Sequence, residues 1–563
     1  MRWGAHDWDL ELRGDELAEI RHAGRPVLRG VRAAVRDHGW STVPVTVESV
    51  QAGTDSLALS LRHDGLGARI SSLLRVGAAA GELTIDWDAG NETGFDTCRT
   101  GLVVLHPASD AGAPAVVVHP DGTREAVMFP ETISPHQPIM DIRELRVGDD
   151  VVLRFEGEVF EMEDQRNWTD ASFKTYSRPL GLPYPYRLDA GERVHQSITI
   201  RVAGRAAADA LDTATPVIDL VEAGEFPSIG VEASTAPDPV PASDAGAFRV
   251  VELNLTTPAW EAALARAAAD GRPLDVRLVT DPDASVLAAA ARALAGRDVL
   301  RLTPFDAALH VSDARAVAAL RVARDAAGLE APVLGGARSH FTELNREQAR
   351  IPRDVAGIVV STTPLFHTLD TEQLVEALAM QRLVAVQTVE IAGGLPVHIG
   401  PVSLRPRFNN VATTPEPVPT RADLSEGYGA EFTGAPDERQ GARELAAWVV
   451  ASAAALAVPG VSTASWFETW GPRGLADTAG SRPAAEAVAA LVALSGGRLL
   501  TGPSPDGLVW AVGSRRDGED VVLAANLDRT TRRIGVRAPG GAARELELAA
   551  GAWARAILPA SSH

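Results

Sequence analysis

The sequence predicts a multidomain protein of mixed α/β and all-β class: an N-terminal β-sandwich, a central (β/α)8 TIM-type barrel and a small C-terminal β-domain. Three observations predict it. The chain has 563 residues, whereas a single core stops growing at roughly 250–300. Up to about residue 205 it reads as short alternating strands broken by turn residues. From 248 the pattern changes to strand followed by helix, repeated, as a parallel barrel requires.

The first block, residues 1–205, contains "DLELRG", "LALSLRHDG", "AGELTIDWDAG", "TGLVVLHPA", "PAVVVHPDG", "DVVLRFEGEVFEME" and "HQSITIRVAG". Their alternation of apolar and polar residues predicts an antiparallel sandwich, with "RHDG" and "HPDG" as Asp-Gly hairpin turns. Residues 206–247 are expected to link this block to the next. Their stretch "EASTAPDPVPASDAGA" is rich in Pro, Ala, Asp and Ser and lacks apolar periodicity.

The barrel is expected over 248–496. Seven strands are legible: "FRVVELNL", "LDVRLVTD", "DVLRLTPF", "PVLGGARS", "GIVVSTTP", "PVHIGPVSL" and "VSTASWFET". Amphipathic helices are expected between them at 258–270, 284–295, 312–328, 371–391 and 439–457. An eighth strand is either unrecognised or lies near "GRLLTG". Residues 497–563 return to strands, "GLVWAVGSRR", "DVVLAANLD" and "RRIGVRAP", and predict the C-terminal β-domain.

Composition excludes several functions. A formal net charge of −21 opposes binding to nucleic acid or an anionic membrane, both of which need a basic surface. The single Cys98 rules out an intrachain disulfide framework and a cysteine-based zinc site. No HExxH or DxDxDG pattern and no phosphate-binding glycine loop is present, so neither metal nor cofactor is expected. With no apolar leader segment and no long apolar run, a cytoplasmic location is the expectation. Oligomeric state is not legible.

In a (β/α)8 barrel, chemistry sits at the C-terminal ends of the strands. Those positions hold Glu252, Asn254 and Asp306, then "GGARSHFTELNRE", "STTPLFHTLD", "SLRPRFNN" and "SWFETWGPRG". Asparagine occurs only seven times in the chain, yet Asn254, Asn345, Asn409 and Asn410 all fall there. Glu343 and Glu468 are the candidate catalytic pair, since hydrolysis of a sugar derivative needs one carboxylate for water and a proton donor for the leaving oxygen. Trp466 and Trp470 flank Glu468 and offer an apolar wall and a platform for a sugar ring. The alternatives are a solvated or salt-bridged Glu343 and a buried Glu468 paired to Arg473.

His340 and His367 are candidate bases. Arg338, Arg405 and Arg407 are candidate clamps for a carboxylate, against the alternative of plain surface ion pairing.

One segment of the first block is unusually polar. "EMEDQRNWTDASFKTY" holds Glu163, Asp164, Gln165, Arg166, Asn167, Asp170 and Lys174, the last being the only lysine of the chain. Three of the four tyrosines, Tyr176, Tyr184 and Tyr186, follow closely. The polarity predicts a long loop across the barrel mouth that walls the substrate pocket or buttresses it. On this reading Lys174, Asp164, Arg166, Asn167 and the barrel's Asn345 bind substrate. A seam without substrate contact is the alternative.

The stretch "FEGEVFEMEDQRNWTDASFKTYSRPL", with "RPVLRGVRAAVRDHGWSTVP", "TGLVVLHP", "FPETISPHQPIMDIREL", "GGARSHFTELNR", "PVSLRPRFNN" and "SWFETWGPRGL", resembles the D-apionate lactonase family of bacterial branched-sugar catabolism. The resemblance covers most of residues 10–475. It implies hydrolysis of a small sugar lactone, D-apionolactone, to the open acid in the breakdown of apiose. For such an activated ester, Glu468 is expected as base or nucleophile and Glu343 as its acid partner. An arginine or Lys174 would take the oxyanion and carboxylate. The competing readings are a barrel glycoside hydrolase acting on a furanoside and a carbohydrate-binding protein without chemistry.

Overall fold

The structure is a computed structural model that describes residues 1–203, 215–281, 284–408, 410–411, 419–429, 435–541 and 543–558. These residues form two compact units. Residues 1–166, 171–203 and 411 make the first, and 167–170 join the rest of the chain in the second.

The first unit consists of two antiparallel sheets of nine strands each. Period-2 alternation builds it: in Glu82–Asn91 the buried positions are Leu83, Ile85, Trp87 and Ala89, with Asn91 at the end. Leu59, Leu74, Ile198 and Ile200, on neighbouring strands of the same sheet, share the core with them. The "HPDG" turn forms as expected, with Gly122 at φ 86° and its N–H donated to His119 O at 3.0 Å. The "RHDG" turn does not. Asp64 and Gly65 still pair with Arg69 and Ala68, and the chain reverses at Leu66 and Gly67, both at positive φ. Register is set by the buried alternation, which carries the strand through the Asp-Gly pair and moves the turn two residues on.

The second unit contains a ring of eight parallel strands, labelled here β1 (Ser228–Glu232), β2 (Phe248–Asn254), β3 (Leu274–Thr280), β4 (Val299–Asp306), β5 (Gly335–Gly336), β6 (Ile358–Thr362), β7 (Val397–Val402) and β8 (Val461–Glu468). The last gap closes where Leu302 of β4 donates its N–H to Pro332 O at 2.9 Å and accepts from Leu334 N at 2.8 Å. Gly336 permits the crowding beside this closure: a Cβ there would lie 2.0 Å from Val359 O.

The expected linker 206–247 is corrected in part. Its residues 217–225 are two strands of the C-terminal module, Val217–Asp219 beside Arg532–Arg537 and Val221–Glu225 beside Arg498–Thr501. Its "SIGVE" is β1, the unrecognised eighth barrel strand. "GRLLTG" is therefore not that strand; it belongs to the C-terminal sheet. The Pro-rich remainder is the connection from β1 to β2. A five-residue strand behind Pro227, with no helix before it, offers too little periodicity to be seen from sequence.

Helices Trp260–Ala269, Ala284–Leu294, Ala314–Ala326, Thr371–Ala392 and Leu445–Leu456 occupy the expected places. Phe341–Glu347 is a further helix, in a stretch that reads as loop. Among the described residues no helix is long and apolar enough to cross a membrane.

Candidate active site

At the C-terminal ends of the barrel strands, a narrow recess is lined by Glu232 of β1, Glu252 of β2, Glu468 of β8, Arg407, Arg473, Thr235, Phe408 and Tyr428. An adjoining recess shares Glu252 and Tyr428 and adds Asn254, Thr257, Trp260 and Arg338. The walls are chiefly side chains that carry charge or hydrogen bonds, arranged in pairs.

Glu468 is aimed by an irregularity in β8. Gly230 lies opposite Ser465, but Glu232 lies opposite Glu468, so β8 holds one residue more than β1 over this span. Phe467 takes up the extra residue at φ 54°, a left-handed conformation that is uncommon for an aromatic side chain. Bulges of this kind re-aim side chains beside active sites. The Glu468 carboxylate then accepts from Thr235 N at 2.9 Å and Thr235 Oγ1 at 2.9 Å, and pairs with Arg473 Nη2 at 2.8 Å. Glu468 is buried against Arg473, as the alternative reading had it, and also lines the recess.

Glu232 and Glu252 share Arg407. Its Nη1 lies 2.9 Å from Glu232 Oε1 and its Nη2 3.4 Å from Glu252 Oε2. Arg338 grips Glu252 Oε1 from Nε at 3.0 Å and Nη2 at 2.7 Å, while its guanidinium lies 3.9 Å from the centre of the Phe408 ring. Burial pushes Glu232 up to about 7 against the pull of Arg407, helped by the charge of Glu468. Burial also opposes ionisation of Glu252, but Arg338 and Arg407 outweigh it and hold that group at about 2. Two neighbouring carboxyl groups are thus driven apart, the pattern that assigns acid and base roles. Beneath them, Asp275 of β3 joins Arg301 of β4 at 2.9 Å and Arg277 at 3.5 Å, extending the charged layer into the barrel.

Glu343 is placed otherwise than expected. It is the third residue of Phe341–Glu347, its carboxylate accepts from His340 N at 3.0 Å and from Asn410 Nδ2, and it does not line the recess. It caps the helix through the reciprocal N-terminal box. Glu343→Ala is expected to cost about 1 kcal/mol in urea denaturation; an unchanged midpoint would show that the cap contributes nothing. Asn409 lies outside the described residues.

Lys174, Asp164 and Arg166 belong to the first unit and are not recess groups. Lys174 stands directly across the ladder from Glu163 and pairs with it at 2.6 Å, a cross-strand ion pair. Burial lowers its ammonium to about 8. Arg166 pairs with Asp164 at 2.7 Å and donates to Pro130 O at 2.8 Å.

Asn167–Asp170 instead groups with the barrel unit. Asn345 Nδ2 donates to Asn167 Oδ1 at 3.0 Å, Thr342 Oγ1 to Asn167 O at 2.9 Å, and Asp170 meets His367 at 2.6 Å. Trp168 stacks on Phe366 at 4.5 Å. Residues 167–170 therefore buttress the loops after β5 and β6 and do not line the recess. Asn167 and Asn345 are spent on that contact.

His340 is buried, which pushes it down to about 3 and leaves its imidazole too weakly basic for the base role expected of it. Arg405 is engaged by Asp437 at 2.8 Å. Trp466 points outward to donate Nε1 to Ser452 Oγ of helix Leu445–Leu456 at 3.0 Å, and Trp470 is half-buried and absent from the recess lining. Neither is a sugar platform. Of the residues chosen from sequence as site residues, Glu468 and Arg338 lie in the recess walls; Arg407, weighed as a clamp, joins them. Glu232, Thr235, Tyr428 and the pairing role of Glu252 escaped notice. Only Glu252 left a signal, as a carboxylate ending a legible strand.

Residues 1–205 match the family model described as D-apionate lactonase, N-terminal domain, and residues 250–496 the one described as D-apionate lactonase, TIM barrel domain. A D-apionate lactonase from Brucella anthropi is 38% identical over 237 residues, which make up 39% of this chain. The chain thus spans 39% of the length of that curated relative. Among solved structures, a conserved exported protein from Bacteroides fragilis aligns at 10% identity over 61% of this chain and 100% of its own, with a TM-score of 0.40. A GH30 endoxylanase from Clostridium papyrosolvens aligns at 11% identity over 62% of this chain and 98% of its own, with a TM-score of 0.37.

Proposed function

The chain belongs to the D-apionate lactonase family, and from that premise we propose that it hydrolyses D-apionolactone to D-apionate in apiose breakdown. The observation that carries the reading is the juxtaposition of Glu232 and Glu468 on paired strand ends, with arginine forks beside them. The barrel is the catalytic domain, flanked by the N-terminal sandwich and the C-terminal β-module.

Glu468, fixed by Thr235 and Arg473, takes a proton from water as the water oxygen bonds to the lactone carbonyl carbon. The carbonyl π pair moves onto its oxygen. When that pair returns, the bond from the carbonyl carbon to the ring oxygen breaks, and the departing oxygen takes a proton from Glu232. Glu468 and Glu232 then exchange protons with solvent, and the new carboxylic acid ionises with release of one proton. Arg338 and Arg407 hold Glu252 and Glu232 in place beside the reacting groups.

The test is proton release from D-apionolactone, corrected for spontaneous hydrolysis. Turnover is expected, with kcat falling as pH rises through about 7, where Glu232 loses its proton. A rate that stays flat well above that pH would remove Glu232 as acid. Absence of turnover would remove the lactonase.

The split between Glu232 and Glu252 favours a second reading, a glycoside hydrolase acting on a furanoside. Hydrolysis of aryl furanosides without lactone hydrolysis would select it.

A further inference from the structure

We propose that Tyr428 is a catalytic hydrogen-bond donor of this site, giving its phenolic O–H to the lactone carbonyl oxygen as that oxygen gains charge. The inference rests on the lactonase reading above and adds the group which that reading lacks, a donor not already held by a protein carboxylate.

The arginines of the recess are all engaged by carboxylates: Arg338 by Glu252, Arg407 by Glu232 and Glu252, Arg473 by Glu468. Using one of them for the oxyanion would strip a buried carboxylate of its partner, which is costly. Tyr428 is different. It lines both adjoining recesses, and among the described residues its hydroxyl makes no hydrogen bond.

Its position is fixed by the residue that fixes the base. The Tyr428 N–H donates to Thr235 O at 3.0 Å, while the N–H and Oγ1 of the same Thr235 hold Glu468. Gly427, at φ 83°, allows this approach, because a Cβ there would come within 2.5 Å of Thr235 O. On the other side of the ring, Arg266 stands 5.6 Å from its centre, tied at 2.6 Å to Ala236 O and at 2.7 Å to Asp238. Donor and base are therefore presented from one turn, Ser234–Ala236, at the end of β1. A preorganised donor aimed where charge develops is the usual large term in acyl transfer.

Chemistry agrees with the geometry. Burial disfavours ionisation of the phenol, and the charges of Glu468, Glu232 and Glu252 disfavour it further. The group stays protonated wherever the carboxylates work. It lends a hydrogen bond in the addition step and keeps its proton when the carbonyl re-forms, so no extra proton enters the balance.

The experiment compares the parent protein with Tyr428→Phe in proton release from D-apionolactone across pH, beside thermal melting. The expected result is a fall in kcat of about 10²–10³-fold, with KM, the pH limb of Glu232 and Tm all retained. Unchanged kcat overturns the proposal. A loss that comes with a displaced pH limb or a lowered Tm also overturns it, because Tyr428 would then act only by positioning its neighbours. An inactive parent is a separate outcome: it sinks the lactonase reading itself, and this inference with it.

Discussion

Glu468→Gln is expected to lower kcat on D-apionolactone by about 10²–10⁴-fold, the loss that follows when a positioned general base is removed. The substitution keeps the shape of the side chain, and its amide oxygen can still accept from the Thr235 N–H, which lies 2.9 Å from one carboxylate oxygen in the parent. The Thr235 hydroxyl, 2.9 Å from the other oxygen, faces the new amide NH2. The ability to take a proton from water is gone. Arg473 loses its ion pair, but its side chain is 19% exposed and water can solvate it, so Tm is expected to fall far less than activity. Proton release and melting on one preparation separate the two effects. Turnover kept within a few-fold of the parent would take the base role away from Glu468 and leave it as the structural partner of Arg473.

Arg407→Met is the substitution expected to cost the most stability, about 3–5 kcal/mol, because it leaves buried carboxylates without their shared cation. Arg407 is 12% exposed and Glu232 4%, so solvent does little to compensate. Glu252 keeps Arg338; Glu232 loses its arginine. Its folded-state carboxyl already ionises well above its ordinary 4.5, and without Arg407 it is driven higher. A raised folded pKa favours the folded state at low pH and loses that contribution as pH rises. The deficit of the variant is therefore expected to be smaller at pH 5 than at pH 8. Urea denaturation at both values checks this, and a small deficit that does not depend on pH would contradict the pairing.

Much of the architecture was legible because its signals are local. Alternation in "GELTIDWDAG" follows from having one buried face, and the repeat of strand and helix from 248 follows from barrel geometry. β1 was not legible, because five residues carry no usable period and its role depends on pairing with β2 and β8, the latter more than 200 residues away in sequence. The hairpin at Leu66–Gly67 shows the same limit. The Asp-Gly pair beside it is a local preference that lost to the register of two long strands.

The site divides along the same line. Glu468, Arg338 and Arg407 could be picked out because a barrel puts chemistry at strand ends. Glu343 sits at such an end too, but its carboxylate is spent on a helix cap, which only the three-dimensional path of "SHFTELNRE" reveals. Lys174 drew notice as the sole lysine, and its partner is the residue directly opposite on the next strand. The fourth tyrosine, remote in sequence from the other three, is the one that lines the recess.

By itself the sequence determined the class of each module and the family, and pointed to the barrel end where the candidate site lies, since all three are written in local periodicity and contiguous motifs. Only the tertiary structure decided which acids meet. Glu232, Glu252 and Glu468 are separated widely along the chain, and what joins them is strand register, one bulge in β8 and the arginines that offset the cost of burying three carboxylates together.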